Sequence, residues 1–216
     1  MCRIDFAVRA IDTLGKMSPD ELGPLFSARR STKTFDATPL QAGELQCLLG
    51  AVFGVAPDGR RSYGSAHARY PVAATAVVGD VRGLAVGSYR VFNGELREQT
   101  RGDHRKPVAL ATIDATWAAV CPALLVLSAN VSTERAEFAS QADSRGERFV
   151  AMEVGLIAQT VHLAAARLDI GTVLIAGLHN DMAQDLLASV VPSGEEMIAV
   201  MPLGRAATSH EPEHFP

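Results

Sequence analysis

Apolar positions fall into two periods along this chain. Leu45, Leu48, Leu49 and Val52 recur three and four apart, as on one face of a helix, and predict a helix from Gln41 to about Phe53. Ahead of them, Ser18-Pro19-Asp20-Glu21 has the makings of a helix start. A hydroxyl can cap, proline lacks only an N–H that the first turn leaves unpaired, and the acids oppose the helix dipole. That helix is expected to reach about Ala28. Val72 to Val78 and Ala123-Leu-Leu-Val-Leu-Ser128 are short apolar runs bounded by proline, and they predict strands, the second one buried on both faces. Leu84 to Val91 and Glu95 to Gln99 flank Asn93-Gly94, two residues that tolerate the positive φ of a tight hairpin. Further helices are expected over Thr112–Ala119, Thr133–Gln141 and Asp181–Val190, and further strands over Thr172–Ala176 and Met197–Leu203.

The strongest helical pattern spans 147–168. Phe149, Val150, Met152, Val154, Leu156, Ile157, Val161, Leu163 and Leu168 cover nearly every face. A helix apolar all round has to be buried all round, and in so small a domain that calls for a second subunit. Gly171 is expected to close it. Glu153 and His162 on this helix read as satisfied interior polar groups. Pro57 to Pro71 is rich in Gly, Ser and Arg and reads as a loop. The order of elements predicts an α+β fold, a three-layer sandwich with a mixed, mostly antiparallel sheet. Residues 1–18 read as an arm, 19–206 as one domain and 207–216 as a polar tail. No GxGxxG follows a strand, so a dinucleotide-type Rossmann site is not expected.

Composition narrows the partners. The 216 residues carry 20 Lys and Arg against 24 Asp and Glu, a net charge of −4, with no basic run, so no nucleic-acid partner is expected. No uninterrupted apolar run has spanning length, so no membrane is expected either. Three cysteines (Cys2, Cys47, Cys121) show no metal spacing and suggest a reducing, cytoplasmic setting. Cys47 and Cys121 lie in apolar surroundings and read as core rather than nucleophiles.

Four segments could carry chemistry. Arg29-Arg30-Ser31-Thr32-Lys33 puts three cations and two hydroxyls in one turn, able to wrap a phosphate, although cations also suit any helix C-terminus. Gly204-Arg205 ends the last strand and offers one long cation. Ser65-Ala66-His67-Ala68-Arg69-Tyr70-Pro71 is a small-residue loop that lets a flat ring approach backbone groups; its His67 could donate a proton near neutral pH. Thr172 to Ala176, followed by Gly177, offers backbone amides at a strand end.

In this order the segments resemble the FMN-dependent nitroreductase family over about residues 25–206. Ala28-Arg-Arg-Ser-Thr-Lys-Thr-Phe35 is similar to its N-terminal phosphate motif, Arg145 through Gly177 to its central helix and following strand, and Pro202-Leu-Gly-Arg205 to its C-terminal phosphate-binding end. Ser65 to Pro71 and the hairpin over Val81–Leu96 resemble the branch of streptolysin-type azoline dehydrogenases. The resemblance implies an intertwined homodimer with FMN at its interface. It implies that Arg29, Arg30, Ser31, Lys33 and Arg205 hold the phosphate and ribityl chain. Ser65, Ala66 and Arg69 would come from the partner loop, and Ala176 and Gly177 would follow the ring edge. The ordinary reaction would be ping-pong hydride transfer from NAD(P)H to a small conjugated or nitro-type acceptor. Two departures stand out: His67 replaces the branch's usual glycine, and Gln141-Ala142 replaces its Lys-Tyr pair. The second counts against azoline oxidation and leaves open an oxygen-dependent dehydrogenase of a peptide or natural product, or a flavin-binding partner subunit with little activity.

Overall fold

A computed structural model describes residues 19–142, 144–179 and 187–207. The expected arm (1–18), most of the expected helix over Asp181–Val190 and nearly all of the polar tail lie outside the described residues. The elements run in the order α1 (Pro19–Ala28), β1 (Leu40–Gln41), α2 (Ala42–Phe53), a single 3-10 turn (Ala66–Ala68), β2 (Ala73–Val78), β3 (Val81–Arg82), β4 (Gly87–Phe92), β5 (Glu95–Arg101), α3 (Arg105–Leu110), a second 3-10 turn (Thr116–Val120), β6 (Ala123–Ala129), α4 (Val131–Glu137), α5 (Arg145–Arg167) and β7 (Glu196–Leu203). Five strands form one sheet in the order β5-β4-β2-β6-β7, antiparallel at every pairing. Among the described residues, the parallel pairing of a mixed sheet is confined to β1 with β3, outside this sheet, and to an isolated bridge between Ser31 and Thr172.

Alternation along the strands divides the core into two layers. Ala74, Ala76, Val78, Leu125, Leu127 and Met201 face α2 and α5, together with Leu45, Leu48, Leu49, Val154, Ile157 and Val161. Val77, Leu124, Val126 and Val200 face the other way, against α3, the second 3-10 turn and residues 187–191. The result is the expected three layers. Every residue of β6 is buried, as a strand covered on both faces requires. At about 1.5–3 kcal/mol per fully buried aliphatic side chain, these layers supply most of what holds the sheet to its helices. The hairpin turns where expected, with φ of 50° at Asn93 and 80° at Gly94.

Several expectations are corrected. Thr112–Ala119 is not one helix, because Thr112 Oγ1 donates to the Ala109 carbonyl (2.6 Å) and accepts the Ala115 N–H (3.1 Å), which turns the chain between α3 and the second 3-10 turn. The helix expected over Thr133–Gln141 starts earlier and stops at Glu137, with Asn130 Oδ1 accepting the Thr133 N–H at its start (2.9 Å). Thr172–Ala176 is not a regular strand. Its backbone is divided among neighbours, Thr172 pairing with Ser31 and Ile175 with Val200. Gly171 does not close α5. Asp169, at φ 55°, takes the left-handed position, and the Ile170 N–H reaches back to the Ala165 carbonyl (2.9 Å).

Helix α5 is also not buried all round within one chain. Val150, Val154, Ile157, Val161 and Ala165 are buried, while Ala151, Met152, Gly155 and Leu156 stand exposed, Met152 by 57% and Leu156 by 48%. By length and composition this helix could cross a membrane. Its buried face, however, packs on the sheet within the larger core layer.

Candidate functional site

Three of the four candidate segments meet at the C-terminal end of α5. The Thr32 N–H donates to the Thr172 carbonyl (2.9 Å), Gly171 and Gly204 exchange two backbone hydrogen bonds (2.7 and 3.3 Å), and the Asp36 N–H donates to the Arg205 carbonyl (3.0 Å). The cation-rich turn, the segment after α5 and the end of β7 are thus stitched by main-chain bonds. Glycine is needed at two of the crossings: a Cβ on Gly171 would sit 2.8 Å from Thr32, and one on Gly204 would sit 2.8 Å from Pro122 and 2.9 Å from Phe35.

Arg205 is held within this web. One terminal nitrogen donates to the Leu168 and Asp169 carbonyls (2.9 and 2.6 Å), satisfying the open end of α5, and the other pairs with Glu44. The second Glu44 oxygen accepts the Gln41 N–H at the start of α2 (2.9 Å). Burial works against the Glu44 charge, but the Gln41 N–H and Arg205 together hold its carboxyl below the ordinary value. Arg30 donates to the Ser27 carbonyl and to that of Arg29 (3.1 Å), so it crosses the end of α1. Arg29 is half-buried, and Ser31 and Lys33 are exposed beside it.

Sequence reasoning passed over two residues here. His162, on α5, is 8% exposed, with its Nδ1 buried and without a protein partner; Thr172 is 1% exposed with its Oγ1 in the same condition. His162 is therefore not the satisfied interior group expected of it. Burial, then the charge of Arg29, hold its imidazole below the ordinary value, against the opposing effect of the Arg30 backbone. A histidine on the buried face of α5 was the visible signal, but its neighbour Arg29 lies far away in sequence.

The fourth segment lies at the other end of α5. Arg69 makes two parallel hydrogen bonds to Glu134 on α4 (2.9 and 2.8 Å) and pairs with Glu137 (3.3 Å). Ser65 Oγ accepts the Tyr70 N–H (2.8 Å), and Glu153 on α5 accepts the Val72 N–H (3.2 Å). Burial pushes the Glu153 carboxyl up, opposed by its hydrogen bonds to Ser65 and the Val72 N–H. His67, Ala68 and Tyr70 all stand at φ 53°, a left-handed backbone that non-glycine residues rarely take. The His67 ring lies over Phe138 and Phe149, at centroid distances of 5.5 and 6.5 Å. From Phe149 to the end of α5 at Arg167 is roughly 27 Å along a helix rising 1.5 Å per residue. Within one chain the loop and the cation-rich turn therefore do not meet.

Ala176 and Gly177 are exposed, and the Gly177 carbonyl accepts the Ile113 N–H (2.9 Å). Gln141 and Ala142 lie exposed in the turn after α4. Burial pushes the Cys121 thiol up to about 12, against the charge of Arg105, and raises that of Cys47, so neither is a thiolate near neutrality. Among the described residues no group of His, Cys, Asp and Glu is placed to hold a metal ion.

Comparison with known proteins fits this geometry. The model of the nitroreductase family matches residues 26–205. A curated relative from Methanocaldococcus jannaschii, provisionally named a nitroreductase, is 29% identical over 209 residues, covering 90% of this chain and 98% of its own. Among solved structures, a nitroreductase-type protein of Anabaena variabilis superposes with a TM-score of 0.73 at 23% identity, over 87% of this chain but 38% of that longer one. One from Ralstonia eutropha gives 0.67 at 24%, over 87% and 84% of the two chains. A chain of the E. coli microcin synthetase McbBCD complex, with truncated pro-MccB17 bound, gives 0.67 at 18%, over 83% and 70%. The chain belongs to the nitroreductase family of oxidoreductases.

Proposed function

We propose that the protein is an FMN-dependent oxidoreductase, working as a homodimer, that takes hydride from NAD(P)H and passes it to a small conjugated or nitro-type acceptor in ping-pong fashion. The observation that carries this reading is the convergence of the 29–33, 171–177 and 204–205 segments on one main-chain web. The donor set suits a phosphate ester. Arg29, Arg30, Lys33 and the Ser31 hydroxyl border that web, and two buried side-chain polar atoms there lack a protein partner. Arg205 would complete the phosphate site by exchanging Glu44 for the phosphate. Bound FMN would supply hydride exchange at the flavin N5, a chemistry that needs no protein base. Ala176 and Gly177 would lie along the ring edge with their backbone groups.

A homodimer explains both the split site and the exposed strip of α5. Two copies related by a two-fold axis present the same patch to each other. If the Ala151, Met152, Gly155 and Leu156 strips pack with the helices antiparallel, the loop end of one α5 lies near the phosphate end of the other. Ser65, Ala66 and Arg69 would then complete the partner's site, with His67 as the candidate proton donor. The exposed Gln141 and Ala142 provide no base near neutral pH. The azoline-dehydrogenase alternative therefore has less support, and no specific observation favours an inactive partner subunit.

Titration of the full-length protein with FMN, followed by anaerobic mixing with NADPH or NADH, tests the reading. Binding should quench flavin fluorescence, and one of the nucleotides should bleach the flavin absorbance. Failure to bind FMN would overturn the flavoenzyme reading. Binding without bleaching by either nucleotide would overturn the reductase half alone. Sedimentation of a Met152→Asp, Leu156→Asp variant should show a monomer; an unchanged dimer would exclude the α5 strip as the interface.

A further inference from the structure

The loop over residues 65–70 is bent into a backbone that ordinary residues resist. His67, Ala68 and Tyr70 all stand at φ 53°, where an L side chain crowds its own main chain. Within the loop, the Ala68 and Arg69 N–H groups donate to the Ser65 and Ala66 carbonyls (both 3.1 Å), and the Tyr70 N–H donates to Ser65 Oγ (2.8 Å). These short-range bonds shape the turn but do not fix its place on the domain. Arg69 does that. Its Nε and Nη2 donate to the two oxygens of Glu134 (2.9 and 2.8 Å) and its Nη1 pairs with Glu137 (3.3 Å), so every guanidinium nitrogen is engaged. Helix α4 is in turn held on α5. Gly146 lies so close to the Glu134 backbone that a Cβ there would not fit, and Arg135 Nε donates to Glu147 (2.8 Å). The loop is thus tied through α4 to the helix whose exposed strip meets the partner in the dimer reading.

We propose that Arg69 and Glu134 are positioning residues: their pair pins the 65–70 loop in its left-handed form against the flavin ring of the partner subunit, and Arg69 does not itself touch the cofactor. The inference rests on the FMN homodimer reading above and assigns Arg69 its part in it. Turning Arg69 toward a phosphate would strand Glu134, whose side chain is 6% exposed. Glu44, the partner of Arg205, is 27% exposed and keeps the Gln41 N–H, so Arg205 is the freer of the two arginines to meet an anion. A loop released from α4 would spend only part of its time in place, and flavin affinity falls by that fraction.

Equilibrium titration of the full-length protein with FMN and with riboflavin, which lacks the phosphate, tests the inference at a temperature where circular dichroism shows each variant folded. Arg69→Met and Glu134→Leu should each weaken both flavins by the same factor, about tenfold for a loop in place about a tenth of the time. The double variant should show that same factor and not its square, because the two residues act as one pair. It should keep the loss even where its stability recovers. A loss for FMN alone in Arg69→Met, or FMN affinity kept or tightened in Glu134→Leu, would make Arg69 a phosphate ligand and overturn the inference. Flavin affinity that returns with stability in the double variant would show a merely structural role and overturn it too. Wild-type binding with every variant unchanged sinks this inference alone; a wild type that binds neither flavin sinks the FMN reading and this inference with it. Should the variants not fold, 15N NMR of the wild-type Arg69 Nε–H decides. A resonance left in place by FMN, or moved equally by FMN and riboflavin, supports the pinned pair, and one moved by FMN alone overturns it.

Discussion

Arg69 and Glu134 form two parallel hydrogen bonds, 2.9 and 2.8 Å long, that fasten the left-handed loop to helix α4. The Glu134 side chain is 6% exposed and that of Arg69 29%. Removing the cation strands a nearly buried carboxylate, so Arg69→Ala should destabilise the fold, by less than the loss of a fully buried pair because Arg69 itself is solvated. Urea unfolding should show a lower midpoint at unchanged slope. An Arg69→Met, Glu134→Leu double variant should recover much of the loss. A loss just as large in the double variant would mean that the pair is not the cause.

Ala68 is exposed and stands at φ 53°. Its methyl contributes little packing but closes off the left-handed region for an ordinary residue. Ala68→Gly should therefore raise stability by about 0.5–1 kcal/mol, where glycine elsewhere in an element usually lowers it. A thermal midpoint that falls would show that the loop relaxes to negative φ in solution.

Gly204 has the opposite sensitivity. A Cβ there would meet Pro122 and Phe35 at 2.8 and 2.9 Å, both parts of a packed interior that cannot easily give way. Gly204→Ala should cost about 1–3 kcal/mol and loosen the web that joins β7 to the cation-rich turn. Calorimetry gives the first effect and FMN titration the second. Wild-type values in both would show that the strand end shifts freely.

Glu153 makes stability depend on pH. Burial raises its folded pKa above the unfolded value near 4.5, so its stabilising contribution is fully present below the unfolded pKa and lost as pH rises through the folded one. Glu153→Gln should match the wild type in acid and become the more stable of the two at mildly alkaline pH. Unfolding curves at both pH values provide the comparison. A stability difference that does not vary with pH would mean that the carboxylate is fully compensated by Ser65, the Val72 N–H and Arg61.

The layers of this fold were legible because they rest on local rules. Leu45, Leu48, Leu49 and Val52 share a helix face whatever surrounds them, β6 is apolar at successive positions, and Asn93-Gly94 accepts the φ its turn requires. Errors came where the backbone serves several neighbours. The segment after α5 alternates between Ser31, Gly204 and Val200, and Thr112 bends the chain with its own hydroxyl, neither of which leaves a periodic trace.

The sequence by itself determined the cations of the candidate site, the alternation that splits the core and the family resemblance, since residue type and short-range spacing suffice for each. Only the tertiary structure decided which distant residues share a neighbourhood. It placed Arg205 across the end of α5 and against Glu44, left His162 and Thr172 unsatisfied beside Arg29, and separated the loop from the cations by the length of one helix. Those relations depend on how strands and helices cross, and main-chain hydrogen bonds between segments far apart in sequence carry no residue signature.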